Sequence, residues 1–259
     1  MNAPAPAIEV LSAEQVYPNG TRALMPVDLT IQPGEFVTLL GPSGCGKSTL
    51  LKMIAGLLAP SDGRILLSRK HVHDAQVDHR LSFVFQEATL MPWATVAANV
   101  RLPLDLAGVP AVQGNARVEK VLNMVGLGQF GQSRPRELSG GMQMRVSIAR
   151  GLVTEPRLLL MDEPFGALDE ITRNKLDADL LELWQRQQLT SVFVTHSITE
   201  AVFLSTRVIV MAARPGRVVE DLSITAPYPR DDDFRTSLEF NELVRHLQHS
   251  LTQASRETA

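Results

Sequence analysis

The sequence predicts an α/β fold: a mainly parallel sheet flanked by helices, with a small antiparallel β layer and a helical subdomain beside it. Three observations lead there. Short apolar runs without alternation (Phe36 to Leu40, Leu158 to Met161, Val192 to Val194 and Val208 to Met211) read as strands buried on both faces. Helix-like stretches lie between them, and strands that alternate with helices pair in parallel. A glycine-rich turn, Gly41-Pro42-Ser43-Gly44-Cys45-Gly46, follows the first run directly and leads into a helix-prone stretch from Ser48 to Leu58.

In chain order, Ile8 to Tyr17, Val27 to Gln32, Arg64 to Ser68 and Leu81 to Phe85 are short strands punctuated by Pro-Asn-Gly, Pro-Gly and Asp-Gly turn signals. All four are expected in the antiparallel layer. From Thr95 to about Val125 the pattern turns helical and is broken by Pro103, Gly108 and Pro110, which gives the helical subdomain, about residues 88–155. Glu170 to Gln188 spaces Leu176, Leu180, Leu183 and Trp184 as a helix does. Beyond the acidic run at Asp231, Phe240, Leu243, Val244, Leu247 and Leu251 form a stripe of the kind that packs on a core. Without internal repeats or a long linker, residues 1–228 read as one domain and 229–259 as a short helical tail.

A chain of 259 residues with a 44% hydrophobic share can bury a sizeable core. Its net charge of −3, without a run of Lys and Arg, argues against nucleic acid as a partner. Cys45 is the single cysteine, so no intrachain disulfide forms, and it reads as a small filler in the glycine-rich turn. The first residues lack a basic segment followed by an apolar one, and no 18 consecutive residues are apolar. The expectation is a chain neither secreted by a standard signal nor spanning a membrane.

Gly41 to Ser48 fits the phosphate-loop pattern G-x-x-x-x-G-K-[ST] in its strand-then-helix setting. Glycines let successive backbone N–H groups and a helix N-terminus face a polyphosphate. Lys47 adds a full charge toward the β- and γ-phosphates, Ser48 offers a hydroxyl to Mg2+, and Thr49 opens the helix behind them. A second loop, Leu138-Ser139-Gly140-Gly141-Met142, precedes a helix-prone run; Ser139 can cap it, while Gly140 and Gly141 leave N–H groups open to an anion. A third segment, Arg157 to Pro164, is a buried strand ending in Asp162 and Glu163, carboxylates that need a metal or hydrogen-bond partner there. Asp162 would hold magnesium and Glu163 would polarise the water attacking a γ-phosphate.

In this order and spacing the three motifs resemble the ATP-binding subunit of ATP-binding cassette (ABC) transporters, over about Ile8 to Pro227. The resemblance implies a P-loop NTPase core and further site residues. Gln86, after Phe83-Val84-Phe85, matches the glutamine that contacts magnesium and water; His196 matches the switch histidine that meets the γ-phosphate. Asp169, in Gly166-Ala167-Leu168-Asp169, matches the D-loop, and Tyr17 sits where an aromatic ring stacks on adenine. Singly, each is ordinary: an exposed glutamine, a structural histidine, a packed tyrosine. Met142 replaces the usual glutamine after Ser-Gly-Gly, and Gly166 a common serine. These variants, with the stretch Met161 to Thr172 and Met91-Pro92-Trp93, resemble the branch importing nitrate, aliphatic sulfonates and taurine.

The family resemblance further implies ATP and Mg2+ held between two copies in a head-to-tail homodimer. It implies an integral membrane permease, an extracytoplasmic solute-binding protein, and a peripheral place on the cytoplasmic face of the membrane. Leu90, Met91, Trp93 and Val96 are expected at the permease contact, or otherwise in the core of the helical subdomain. Two other functions stay open: a soluble cassette ATPase of repair or cofactor assembly, and a separate exporter subunit. His71, His73, Asp74, Asp78 and His79 could suggest a metal site, but lack the spacing of a known one.

Overall fold

The computed structural model describes residues 5–71, 81–166 and 168–256. Two sheets enclose one helix. A six-stranded sheet runs β10-β9-β3-β8-β7-β6, and a four-stranded one runs β2-β1-β4-β5. The larger comprises β3 (Phe36–Leu40), β6 (Leu81–Val84), β7 (Leu158–Asp162), β8 (Thr190–Thr195), β9 (Arg207–Ala212) and β10 (Arg217–Ser223). Its pairs are parallel except β9 with β10. The smaller comprises β1 (Ile8–Val16), β2 (Arg22–Ile31), β4 (Asp62–Leu67) and β5 (Lys70–His71), all antiparallel.

Strand alternation divides the interior into two cores across the parallel sheet. Val37 and Leu39, Leu158 and Leu160, Val192 and Val194, and Ile209 and Met211 face the antiparallel sheet and α1 (Lys47–Ile54). Phe36 and Leu40, Leu159 and Met161, Phe193, and Val208 and Val210 face the other way. Both faces are therefore dry, which is why these runs show no polar alternation. Each buried Leu, Ile or Val contributes about 1.5–3 kcal/mol of transfer free energy.

The second core is covered by α2 (Val96–Leu106), α3 (Ala111–Met124), α4 (Gly140–Leu152), α5 (Glu170–Gln187) and α6 (Ile198–Leu204). Val96, Val100 and Leu104 of α2 meet Val118, Val121 and Leu122 of α3 in it. A short helix, α7 (Asp232–Thr236), and a long one, α8 (Leu238–Arg256), follow. The apolar stripe packs as its spacing implies: Phe240 and Leu247 are buried, and Leu243, Val244 and Leu251 lie against the same core. Arg230 fastens this end by donating to the carbonyls of Val202, Phe203, Ser205 and Ala226.

Two sequence expectations need correction. Leu81 to Phe85 does not join the antiparallel layer: Leu81–Val84 pairs in parallel with β7, register Val84 to Met161. Turn signals mark only where a strand stops; its partner is set by which edge remains open, and β7 offers one. Pro103 does not break its helix but sits inside α2. It lies one turn from the end, where the missing N–H deprives only the Asn99 carbonyl of its donor. The Asn99 side chain meanwhile donates to the carbonyls of Met91 and Thr95 and accepts from the Met91 N–H, so it pins the preceding loop.

Candidate nucleotide-hydrolysis site

The site lies at the carboxyl ends of three adjacent parallel strands, β3, β8 and β7, where loops converge. The phosphate loop turns between β3 and α1 with Gly44 at φ 79° and Gly46 at φ 90°, angles that side chains resist. Gly46 is the N-cap of α1 and has no side chain to cover the helix N–H groups, so they stay available to an anion. Lys47 is almost wholly buried, and its Nζ donates to the carbonyls of Gly41 at 2.7 Å and Pro42 at 3.0 Å. Pro42, Ser43 and Gly44 are exposed at the tip and Thr49 is half-buried on α1. Cys45 is buried; burial pushes its thiol up against the opposing pull of Lys47, which fits a filler.

The two acidic residues divide their partners. Asp162 Oδ1 accepts from Ser48 Oγ at 2.6 Å, so the loop hydroxyl and the end of β7 meet. Glu163 turns away: Oε1 is 3.9 Å from Lys47 Nζ, and Oε2 is 3.0 Å from His196 Nδ1. Its backbone takes φ 44°, the left-handed region uncommon outside glycine, while its N–H donates to the Val194 carbonyl at 3.0 Å. Strain at such a residue is held by its surroundings and is frequent at functional sites. His196 follows β8 and is half exposed. Lys47, Ser48, Asp162, Glu163 and His196 thus form one connected group.

Other predicted residues stand around it. Gln86 is exposed two residues beyond β6, on the carboxyl edge that Asp162 shares. Tyr17 is 39% exposed in the turn joining β1 to β2. Asp169 is the N-cap of α5: its carboxylate accepts from the Thr172 N–H at 3.0 Å, and that bond holds its pKa below the usual range. Ser139 caps α4 by accepting from the Met142 N–H at 3.3 Å. A Cβ placed on Gly141 would come 2.9 Å from Thr172 Cγ2, and one on Gly140 would meet Leu168; neither meets the phosphate loop. Within one chain these glycines pack beside α5 and the loop that precedes it.

Of the expected contact residues, Trp93 is 74% exposed, whereas Val96 is fully buried in the α2 core and is corrected to a packing residue. In the histidine and aspartate cluster, His71 is exposed on β5, while His73, Asp74, Asp78 and His79 lie outside the described residues. Among the described residues no group of three His, Cys, Asp or Glu could hold a metal.

Sequence reasoning missed four contributors. A Cβ on Gly216 would stand 2.4 Å from the Cys45 carbonyl and 2.6 Å from that of Ala23, so only glycine lets β10's turn approach the phosphate loop. Arg150 of α4 donates to the carbonyls of Ala88 and Thr89 and to Thr89 Oγ1, clasping the segment after Gln86. Arg173 donates to the Leu168 carbonyl, and the buried Glu200 accepts from Thr195 beside His196. The Pro215-Gly216 turn signal could have flagged the first; charged residues within helices gave no signal for the others.

The "ABC transporter" family model matches residues 24–166, from β2 through the phosphate loop and the Ser-Gly-Gly loop to Glu163. The chain belongs to the ABC transporter family. It is an ATP-binding subunit, an ATP hydrolase of the kind coupled to transport. An uncharacterised ABC transporter ATP-binding protein of Methanocaldococcus jannaschii is 50% identical over 90% of this chain and 85% of its own length. A taurine import ATP-binding protein of Rhizobium johnstonii is 46% identical over 90% of this chain and 92% of its own. An aliphatic sulfonates import ATP-binding protein of Bacillus cereus is 41% identical over 85% of each. Among solved structures, cbiO1 from Clostridium perfringens, part of the ABC transporter complex cbiONQ, has a TM-score of 0.80 at 27% identity, covering 96% of this ABC subunit and 97% of cbiO1. Among the described residues no helix is long and apolar enough to cross a membrane.

Proposed function

We propose that this ABC subunit energises the import of a small anion or organic solute of the nitrate, alkanesulfonate or taurine kind. The observation that carries the solute class is the 46% identity to a taurine import subunit over 90% of the chain. The relatives named for taurine and for aliphatic sulfonates are import subunits, which counts against the repair, cofactor-assembly and exporter readings. Its partners would be a membrane permease, a solute-binding protein outside the membrane and a second copy of itself, with the chain peripheral on the cytoplasmic face. Residues 1–228 would be the ATPase domain, 88–155 its helical part and 229–259 the tail.

In this reading Lys47 exchanges the Gly41 and Pro42 carbonyls for β- and γ-phosphate oxygens, and the N–H groups of Gly44 to Thr49 cradle the rest. Tyr17 stacks on adenine. The Ser48 hydroxyl and the Asp162 carboxylate, 2.6 Å apart, are hard oxygen donors that fit Mg2+, and Gln86 stands on the same strand edge to complete the set. When bound, the ion neutralises phosphate charge. Glu163 takes the proton of the attacking water, and His196, released from Glu163 Oε2, meets the γ-phosphate. Ser139, Gly140 and Gly141 would serve the nucleotide of a second copy, with Asp169 near the junction. Trp93, Leu90 and Met91 give an apolar loop for the permease.

Reconstitution with the permease in vesicles tests the function. ATP-dependent uptake of labelled taurine or an alkanesulfonate is expected; ATP hydrolysis that neither solute stimulates would overturn the solute class.

A further inference from the structure

We propose that Arg173 and Glu200 are a positioning pair for ATP hydrolysis, fixing the turn that carries His196 against the loop that follows Glu163. The proposal rests on the roles given to Glu163 and His196 above. Arg173, on α5, donates from Nη2 to the Leu168 carbonyl at 2.8 Å, and its Nε lies 3.5 Å from Glu200 Oε1 on α6. Glu200 is almost fully buried and accepts from Thr195 Oγ1. Thr195 Oγ1 accepts in turn from the Ser197 N–H at 2.9 Å, and Ser197 Oγ accepts from the Glu200 N–H at 3.3 Å. Both neighbours of His196 are therefore tied to Glu200.

The result is a closed circuit. Glu163 and His196 meet directly, and five residues after Glu163 the Leu168 carbonyl returns to the His196 turn through Arg173, Glu200 and Thr195. Burial pushes the Glu200 carboxyl up while the Thr195 hydrogen bond and the Arg173 charge pull against it, and the pair links α5 to α6 and, through them, the Leu168 loop to the end of β8. His196 is half exposed and its ring meets Glu163, so where that ring reaches depends on how its turn is held. Catalytic groups displaced by about 1 Å lose on the order of 100-fold in rate, so a strut at this point acts on turnover more than on binding.

The test is a double-mutant cycle on the purified chain with ATP and magnesium, reading kcat, KM and melting temperature. Arg173→Ala is expected to lower kcat by about 10- to 100-fold with KM within about threefold, and Arg173→Lys to recover most of the loss. Combined with His196→Ala it is expected to add nothing, since both remove the same contribution. If Arg173→Ala does not fold, Glu200→Gln, which keeps the shape, carries the same cycle. Multiplicative losses, or a lower melting temperature at wild-type kcat beside a slow His196→Ala, would overturn the pair alone. A His196→Ala variant as fast as wild type would overturn the reading of His196, and the pair with it.

Discussion

His196 Nδ1 and Glu163 Oε2 lie 3.0 Å apart across the ends of the neighbouring strands β8 and β7, and the same carboxylate reaches toward Lys47 with its other oxygen. A single side chain thus touches the groups assigned to the γ-phosphate and to the phosphate loop. Replacing it by Gln keeps the size and removes the base. Glu163→Gln is expected to bind ATP with near wild-type affinity and to hydrolyse it about 10²- to 10⁴-fold more slowly. With ATP and magnesium, its mass in solution should rise to that of a dimer while the wild type returns to monomer.

Ser48 donates to Asp162 in the same cluster. Ser48→Ala removes one oxygen donor and leaves the phosphate-loop backbone intact. Nucleotide binding should become less dependent on magnesium: titration of fluorescent ATP with and without the ion should show the magnesium-linked gain in affinity falling by about tenfold, a loss of about 1.4 kcal/mol.

At Gly216 a methyl group would meet two backbone carbonyls, of Cys45 and Ala23, neither of which can rotate away as a side chain does. Gly216→Ala is therefore expected to displace the phosphate loop, weakening ATP binding by roughly tenfold or more, with a destabilisation of about 1–3 kcal/mol. Calorimetric titration beside a thermal melt separates the two effects.

Arg150 ties α4, the helix that Ser139 caps, to Ala88 and Thr89 just after Gln86. Burial lowers the guanidinium's pKa, and the carbonyls it donates to replace part of the water it has lost. Arg150→Ala should destabilise by about 1.5–3 kcal/mol. If the Trp93 loop docks the permease, the variant should also keep basal hydrolysis better than solute-stimulated hydrolysis.

Asp177 of α5 is buried against Arg235 of α7 at 3.1 Å; burial first, then the nearby Glu200, push its carboxyl up to about 7. The ordinary value is 3.8. A carboxyl raised in the native state binds more protons folded than unfolded. Its contribution is complete below about pH 4 and is lost as pH climbs to about 7. Stability should fall by about 1–2 kcal/mol between pH 5.5 and 7 from this group. Asp177→Asn, which still offers Arg235 an amide oxygen, should flatten that part of the profile in thermal melts taken across the range.

Strands of the parallel sheet and the phosphate loop were legible because their causes are local. A run such as Phe36 to Leu40 has four apolar residues in five and no polar alternation, and Gly44 and Gly46 mark the angles that the loop adopts. Ser139 as a helix cap was equally local. Leu81 to Val84 was misplaced because the choice between two sheets depends on an open edge contributed by β7, some 75 residues later, and no nearby residue encodes it. Val96 was misread because an apolar residue after a loop looks the same whether it faces a partner or a core.

The sequence by itself determined the alternating fold, the phosphate-binding turn and the two acids after β7, since each is a short pattern whose chemistry follows from its own residues; the histidine after β8 stood out only through the family resemblance. Only the tertiary structure decided who touches whom: Glu163 with His196, Ser48 with Asp162, Gly216 beneath Cys45, and Arg173 with Glu200. Those pairs are 33, 114, 171 and 27 residues apart in the chain. At such separations contact is set by the packing of two cores against one sheet, and the flanking sequence of neither partner carries it.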